Sequence, residues 1–382
     1  MLRPGSVTAR PPRGHSQAHA GIHPVSPLTH RTQRFQPLPP PLGDPPYHYD
    51  VETAAPGIQA HAAQQGKLIF HTVGDTGGIK HPDFQANVAA AMKTDLNLPA
   101  DQVPGFFYHL GDVVYYNGEI RDYYDQFYEP YNHYDAPIIA IAGNHDGDPI
   151  DATQQSLDGW VRYFMRHTPV VNPESRDAPR VTLSLPNVYY TLNCPFVTIV
   201  GMYTNVPEHG SIDSVQQQWL TNEFATAPRD KALMLALHHP VYSFDDHHSG
   251  SSRMADAVQH AINDSRRLPN MVLTAHVHNY QRIERQLSDH TPTPFMVIGH
   301  GGYFHLHGLN AAVGTEDPNT HAVLRAADDR LHGYATITVD ANEITGVAKS
   351  VAAGRGENVV EIDRFSYPAA ARFLPHGVVV SL

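Results

Sequence analysis

The stretch from Phe106 to Asp146 most constrains the fold of this chain, because it contains two apparent buried strands that end in the same way. Phe106–Leu110 and Pro137–Ala142 are short apolar runs, and each is followed at once by a glycine and polar side chains. A glycine lets the backbone turn sharply, and ligands of open α/β sheets lie beyond the carboxyl ends of strands. The stretch therefore predicts a ligand site built on an α/β sheet.

Polar side chains with lone pairs follow three further predicted strands, which are Leu68–Val73, Ala232–Leu237 and Met271–Leu273. Taken singly, such residues have structural explanations, for example a turn cap for Asp75 or a core contact for Tyr115. Together they form the mixed oxygen and nitrogen set expected for two metal ions bridged by one carboxylate. The polar residues at the five strand ends are Asp75, Asp112, Tyr115, Asn144, His145, His238, His239, His276 and His278.

The composition narrows the functional classes. The net charge is -12 in 382 residues, and there is no basic run outside residues 1–62. This charge argues against a nucleic-acid-binding surface. The single cysteine, Cys194, excludes an internal disulfide framework and a cysteine-rich zinc site. No run reaches the roughly 20 apolar residues of a membrane helix, and no signal-peptide pattern follows the start. We expect a soluble protein without a membrane partner, cytoplasmic by default.

The chain divides by composition into three parts. Residues 1–62 are rich in proline and arginine and contain no acidic residue before Asp44, so we predict that this arm is disordered. Residues 63–367 carry the strand and helix patterns of one large domain. Residues 368–382 are expected to form a C-terminal tail.

Strands and helices alternate over most of the large domain, and a block with a denser strand signal joins them. We therefore predict an α/β fold in four layers, α/β/β/α, in which two packed mixed sheets are flanked by helices. The remaining predicted strands are Tyr189–Leu192, Phe196–Gly201, Phe295–Ile298, Tyr334–Val339 and Ile344–Val351, and the predicted helices are Pro82–Leu96, Arg121–Tyr131, Gln154–Arg166 and Ser214–Ala227.

The strand-end motifs resemble those of the purple acid phosphatases, a family within the calcineurin-like metallophosphoesterases. The resemblance covers roughly residues 64 to 365, and the tyrosine at position 115 makes it specific. Two departures are mild, because Leu235 and Ala275 replace a usual valine and glycine without removing a ligand. The five matching blocks are Asp75-Thr76-Gly77, Gly111-Asp112-Val113-Val114-Tyr115, Gly143-Asn144-His145-Asp146, Leu235-Ala236-Leu237-His238 and Ala275-His276-Val277-His278.

The resemblance implies a role for each ligand. An Fe3+ site would take Asp75, Tyr115 and His278, and Asp112 would bridge it to a divalent site for Zn2+, Fe2+ or Mn2+. The divalent site would take Asn144, His238 and His276. Hard Fe3+ suits carboxylate and phenolate oxygens, whereas imidazoles with an amide oxygen suit the divalent ions.

The resemblance also implies the catalytic histidines. His247 and His248 follow His238 by nine and ten residues, where plant members of the family carry a substrate-facing pair. With His145, they would hold the phosphate and protonate the leaving oxygen. The implied reaction is hydrolysis of a small phosphate monoester by a metal-bound hydroxide, with inorganic phosphate as product and an acidic pH optimum.

Three alternatives stay open at this point. The same site would serve a phosphodiesterase or a nucleotide pyrophosphatase if its pocket admits a second ester group. A non-catalytic metal-binding or interaction protein would be expected to have lost at least one ligand, and none is lost here. The proline-rich arm would also suit the docking of a regulatory partner.

Overall fold

The computed structural model describes residues 32–287, 291–352 and 358–382. In this part of the chain there are sixteen strands and seven α-helices. The strands are β1 (His48–Asp50), β2 (Lys67–Val73), β3 (Phe107–His109), β4 (Ile138–Ala140), β5 (Tyr190–Asn193), β6 (Val197–Gly201), β7 (Ala232–Ala236), β8 (Arg267–Leu268), β9 (Met271–Thr274), β10 (Tyr280–Gln286), β11 (Pro292–Ile298), β12 (Val323–Asp328), β13 (Gly333–Asp340), β14 (Glu343–Val351), β15 (Val359–Pro368) and β16 (Arg372–Phe373).

The helices lie between the strands, with the longest ones after β2, β6 and β7. Ile120–Asp122 and Pro173–Ser175 form short 3-10 turns, and Tyr124–Tyr128 forms a π-helical turn. The α-helices are α1 (Val51–Ala54), α2 (Ile58–Gln65), α3 (Pro82–Asp95), α4 (Asn144–Gly147), α5 (Asp158–Phe164), α6 (Ser214–Thr226) and α7 (Ser252–Ser265).

Both large sheets are mixed. The eight-stranded sheet has the order β1-β5-β6-β7-β9-β11-β10-β12, and the six-stranded sheet has the order β15-β14-β13-β2-β3-β4. Strands β6, β7 and β9 are parallel neighbours in the first sheet, as are β2, β3 and β4 in the second. The residues that follow these strands therefore meet at one edge of each sheet.

The two sheets pack against each other, and helices cover their outer faces. The hydroxyl of Tyr190 on β5 donates to the carbonyl of Ala140 on β4 across the interface (2.9 Å). Helix α3 packs on β13 and β14, whereas α6 and α7 pack together and on β8. The predicted sandwich of two mixed sheets flanked by helices is confirmed.

The predicted strands are found, with ends that differ by a few residues, but the sequence analysis omits several elements. Helix α7 was omitted, although buried Met254, Val258 and Ile262 recur in it at helical spacing. Strands β10 and β15 carry many polar and charged residues, which weaken the strand pattern. The predicted helix Arg121–Tyr131 is instead split between a 3-10 turn and a π-helical turn.

The prediction of a disordered arm up to residue 62 is wrong for residues 32–62, whereas residues 1–31 lie outside the described part of the chain. Strand β1 pairs in parallel with β5, and helices α1 and α2 follow it. The N–H group of Leu42 donates to the carbonyl of Pro186 (2.8 Å), and the indole of Trp219 donates to the carbonyl of Pro46 (2.7 Å). This segment does not need a hydrophobic core of its own, because it packs against the rest of the domain.

The C-terminal residues 368–382 also pack on the domain. Strand β16 pairs with β8, and the backbone N–H of Val380 donates to the side chain of Asn263 (2.8 Å). Among the described residues, no helix combines the length and the apolar character needed to cross a membrane.

Candidate metal centre

The seven predicted metal ligands come together where the two sheets meet. Asp75 follows β2, Asp112 follows β3 and Asn144 follows β4, all in the six-stranded sheet. His238 and His276 follow β7 and β9 of the eight-stranded sheet. All seven side chains, which also include Tyr115 and His278, are buried.

Asp75, Tyr115 and His278 form the first half of the cluster. The hydroxyl of Tyr115 lies 3.0 Å from Oδ1 of Asp75 and 3.4 Å from Nε2 of His278. The same two atoms of Asp75 and His278 are 3.6 Å apart. One carboxylate oxygen, one phenol oxygen and one imidazole nitrogen thus converge at the spacing of ligands that share a single ion.

The second half contains Asp112, Asn144, His238 and His276. Nε2 of His238 lies 3.5 Å from Oδ2 of Asp112 and 3.9 Å from Oδ1 of Asp75. Nδ1 of His276 lies 3.0 Å from Oδ1 of Asn144. Because Asp75, Asp112 and His238 offer ligand atoms within 4.8 Å of one another, this half is continuous with the first.

Hydrogen bonds to backbone carbonyls orient two of the imidazoles. Nδ1 of His238 donates to the carbonyl of Leu110 (2.8 Å), and Nδ1 of His278 donates to the carbonyl of His305 (3.1 Å). In each ring Nε2 is left to face the carboxylates, and Nε2 of His238 is buried without a hydrogen-bond partner. Outer hydrogen bonds of this kind are typical of metal-ligating histidines. The donor set and its orientation therefore fit a pair of metal ions.

Glycines allow the two ligand loops to approach each other. Gly111, with φ +93°, precedes Asp112, and a Cβ atom there would lie 2.6 Å from the backbone nitrogen of Gly143 and 2.8 Å from Nδ1 of His238. A side chain at Gly143 would overlap the carboxylate of Asp112. Asp75, Asp112 and His276 themselves have left-handed backbone angles, with φ between 54° and 66°. Such angles are uncommon outside glycine and are typical of functional sites.

Burial and mutual charge shift the pKa values of the carboxylates in the absence of metal. Burial raises the pKa of Asp75 to about 7, and the charge of Asp112 acts in the same direction. Burial also disfavours ionisation of Asp112, but His238 and His145 outweigh it and hold its pKa well below the usual range. For His238, burial acts against protonation, yet the carboxylate of Asp112 prevails and raises the pKa to about 9. Metal binding at His238 must therefore displace a proton.

The other ligands are neutral without metal. Burial lowers the pKa of His278 to about 3, and burial with repulsion from His239 lowers that of His276 well below its usual value. Burial, with the charges of Asp112 and Asp75, raises the pKa of Tyr115 well above its usual value. A phenolate at Tyr115 therefore requires a cation beside it.

The three predicted catalytic histidines lie at different distances from the ligands. The ring of His145 is 4.6 Å from that of Tyr115, and the ring of His248 is 4.7 Å from that of His276. His247 is exposed and contacts the rings of His248 and His307. His145 and His248 thus adjoin the ligand cluster, whereas His247 lies one layer further out.

Four further residues of the site were given no individual role by the sequence analysis. Buried Asp146 accepts the backbone N–H groups of Gly143 and Val113, so it ties two ligand loops together. Its signal was present, since Asp146 follows Asn144 and His145 in the same block. The other three, Asp245, His307 and Glu208, stand in loops without a pattern.

Asp245 organises the loop that carries the histidine pair. Its Oδ2 accepts the backbone N–H groups of His247 (3.0 Å) and His248 (2.7 Å), and lies 3.3 Å from Nδ1 of His307. The ring of His307 packs 4.5 Å from that of His278, and burial lowers its pKa to about 4. Asp245 therefore fixes the position of the loop relative to the ligand cluster.

The chain was compared with known proteins. A model of the calcineurin-like phosphoesterase family matches residues 69–280. No curated protein sequence matches the chain.

Among solved structures, GAP50, the anchor in the inner membrane complex of Plasmodium, has a TM-score of 0.54 at 12% identity, covering 78% of this chain and 89% of that chain. The purple acid phosphatase PPD1 from yellow lupin (Lupinus luteus) seeds has a TM-score of 0.56 at 18% identity, covering 78% of this chain and 53% of that chain. PhoD has a TM-score of 0.51 at 14% identity, covering 82% and 72% of the two chains. At these identities the likeness shows a shared fold.

Proposed function

The chain belongs to the calcineurin-like phosphoesterase family, and from this premise we propose that it is a binuclear-metal hydrolase of phosphate monoesters, similar to the purple acid phosphatases. The observation that carries the proposal is the complete, buried set of seven ligand side chains at the meeting point of the two sheets. Oxygen and nitrogen donors in this mixture suit one hard trivalent ion and one divalent ion.

We assign the ligands to the two ions as the resemblance to the purple acid phosphatases implies. Asp75, Tyr115 and His278 would hold Fe3+, and Asn144, His238 and His276 would hold Zn2+, Fe2+ or Mn2+, with Asp112 between them. When bound, such a pair lowers the pKa of the attacking water and neutralises charge on the phosphoryl oxygens, which favours hydrolysis at mildly acidic pH.

The protein's own residues would position the phosphate and supply the proton. Nδ1 of His145 donates to the carbonyl of Tyr116 (2.8 Å), which orients the ring beside Tyr115, and we assign His145 to contact with a phosphoryl oxygen. The ring of His248 lies 4.7 Å from that of His276, and His248 would protonate the departing alcohol. His247, further out, would contact the phosphate.

A non-catalytic role is the alternative from another class. The Plasmodium structure with this fold is described as an anchor, and a fold alone does not imply an activity. An anchor has no need for a full set of buried ionisable ligands, which are costly without a cation. The intact set therefore favours the enzyme.

The test joins metal analysis with hydrolysis assays on the purified protein. We expect two metal ions per chain, one of them iron, and faster hydrolysis of phosphate monoesters than of diesters, with an optimum below pH 7. If the protein prefers a diester or a nucleotide pyrophosphate, it is still a phosphoester hydrolase, but the proposed monoesterase activity is wrong. Two bound metals without hydrolysis of any phosphoester would instead support the non-catalytic role.

A further inference from the structure

The segment Thr32–Gln36 lies beside the candidate metal centre and is held at both ends. The hydroxyl of Thr32 donates to Oδ1 of Asp148 (2.7 Å), and its backbone N–H donates to the same atom (3.2 Å). Gln36 and Asn205 exchange two hydrogen bonds, from Gln36 N to Asn205 Oδ1 (2.7 Å) and from Asn205 Nδ2 to Gln36 O (3.0 Å). Asp148 and Asn205 are buried, so both anchors belong to the domain. We call this segment the N-terminal strap.

Between its anchors the strap holds Glu208. The backbone N–H of Glu208 donates to Oε1 of Gln33 (3.2 Å), and Nε2 of Gln33 donates to Oε2 of Glu208 (3.2 Å). The other carboxylate oxygen, Oε1, lies 2.9 Å from Nδ1 of His248 and 3.8 Å from Nε2 of His276. One carboxylate thus joins the strap to a candidate catalytic histidine and to a candidate metal ligand.

We propose that Glu208 is a positioning residue for His248, and that Gln33 of the N-terminal strap holds Glu208 in place. The inference rests on the proposed function, because it adds a role in the same phosphoester hydrolysis. A carboxylate bonded to one imidazole nitrogen fixes the ring and leaves the other nitrogen for proton transfer. Nδ1–H of His248 would stay paired with Glu208, while Nε2 gives its proton to the ester oxygen as the phosphorus–oxygen bond to the leaving group breaks.

The same contacts permit a different role. Glu208, His248 and His276 offer ligand atoms within 4.8 Å of one another, so the three side chains are also a possible metal-binding group. Under that reading, loss of Glu208 would remove metal from the protein. Under the positioning reading, the metal content stays the same and only the proton transfer suffers.

The variants Glu208→Ala, Glu208→Gln and Gln33→Ala separate these readings, with Gln59→Ala on the exposed face of α2 as a matched control. Glutamine at 208 is uncharged and has a single acceptor oxygen, so it cannot both face Nδ1 of His248 and accept from Gln33 as the carboxylate does. We expect Glu208→Ala to lower kcat on alkyl phosphates about 10- to 100-fold, which is less than the about 10²–10⁴-fold typical of the acid itself. We expect a smaller loss for Glu208→Gln and about two- to fivefold for Gln33→Ala.

Three measurements distinguish a positioning role of Glu208 from a general loss of structure. Turnover of aryl phosphates, which need little protonation, should change less than twofold, or about the experimental error. The metal content should match that of wild type. In the His248→Ala background, Glu208→Ala should have no further effect on alkyl phosphates, since the group that it positions is gone. Additive losses in this cycle, or loss of metal in Glu208→Ala, would overturn the proposal.

The proton on His248 provides a readout that does not depend on activity. In the zinc-loaded protein with 15N-labelled imidazoles, the His248 signal is identified by its absence from His248→Ala. We expect a protonated Nδ1 in wild type and averaging between the two nitrogens in Glu208→Ala. An unchanged His248 signal in Glu208→Ala contradicts the positioning role. If wild type hydrolyses no phosphoester, the proposed function fails, and this spectrum alone decides whether Glu208 fixes the ring.

Discussion

Nε2 of His238 lies 3.5 Å from Oδ2 of Asp112, and the two residues belong to different sheets. His238 follows β7 of the eight-stranded sheet, and Asp112 follows β3 of the six-stranded sheet. The candidate metal centre therefore spans the interface between the sheets. Binding of metal there should stabilise the packing of the whole domain and not only a local loop.

The first prediction follows from this position. Removal of metal with a chelator should lower the Tm by about 5–10 °C, because a ligand bound only by the folded state stabilises it by several kcal/mol. The buried carboxylates would also lose the cations that offset their charge, apart from the imidazolium of His238. Differential scanning calorimetry before and after chelation, with the metal content measured in both samples, checks this. An unchanged Tm in protein that has lost its metal would show that the centre does not hold the sheets together.

The second prediction concerns the bridge. Asp112→Asn should lose both metals and nearly all activity, since Asp112 faces both halves of the cluster and an amide carries no charge. Its matched control is Asp264→Asn on the exposed surface of α7, which should keep both metals. Elemental analysis of the two variants is the measurement. Wild-type metal content in Asp112→Asn refutes the bridge.

The third prediction is colour. The hydroxyl of Tyr115 lies 3.0 Å from Asp75 and is buried, so an iron(III) ion there would take a phenolate and give a visible charge-transfer band. Tyr115→Phe should bleach the band. Tyr303→Phe should keep it, because this change removes a hydroxyl from a neighbouring ring, packed 4.4 Å from that of Tyr115, and leaves the phenol of Tyr115 in place. A colourless wild type with stoichiometric iron(III) is the result that contradicts the assignment.

The sequence predicts that the seven candidate ligands lie close together, and it does so for a physical reason. Each lies directly after a short apolar run or glycine, and the parallel strands β2, β3, β4, β7 and β9 bring these positions to one place. The assignment of each ligand to an ion stays a prediction. Glu208 and Asp245 were given no role of their own. Glu208 acts through contacts between loops that are distant in sequence, and Asp245 accepts backbone N–H groups of its own loop, which no residue pattern marks.

For the N-terminal residues 32–62, the prediction from composition was wrong. Proline-rich composition was interpreted as disorder, yet Thr32, Gln33 and Gln36 bond to Asp148, Glu208 and Asn205, respectively. These contacts depend on a surface that the composition of the segment does not describe. The composition of a segment indicates whether the segment can form a hydrophobic core by itself. It does not indicate whether the segment can pack against the rest of the domain.

The fourth prediction concerns stability and its dependence on pH. Asp95 at the end of α3 accepts hydrogen bonds from His71 on β2 (3.2 Å), Tyr334 on β13 (2.8 Å) and Lys349 on β14 (2.6 Å). Burial alone would raise the pKa of Asp95, but the bonds from His71 and Lys349 outweigh it and lower the pKa to about 2. A lowered pKa stabilises the folded state above the unfolded value, and that contribution is lost as the pH falls towards 2.

Asp95→Asn should therefore lower the free energy of unfolding by about 2 kcal/mol at pH 7. The difference from wild type should shrink between about pH 4 and pH 2, where the carboxylate of the unfolded chain is already protonated. Denaturant unfolding of metal-free protein at several pH values checks this, with exposed Asp101→Asn as the control. An Asp95→Asn effect that is the same at pH 3 and pH 7 would mean that packing, and not charge, accounts for it.

The fifth prediction separates the catalytic histidines from the ligands. His248 contacts the ring of His276 but lies outside the seven ligands, so His248→Ala should keep both metals. It should lower the turnover of alkyl phosphates by about 10²–10⁴-fold, since an alkoxide leaves poorly without a proton, and that of activated aryl phosphates much less. His247→Ala should affect the two substrates alike, because exposed His247 is assigned to phosphate contact. Equal losses on alkyl and aryl phosphates in His248→Ala would leave His248 with an electrostatic role and remove it as the acid.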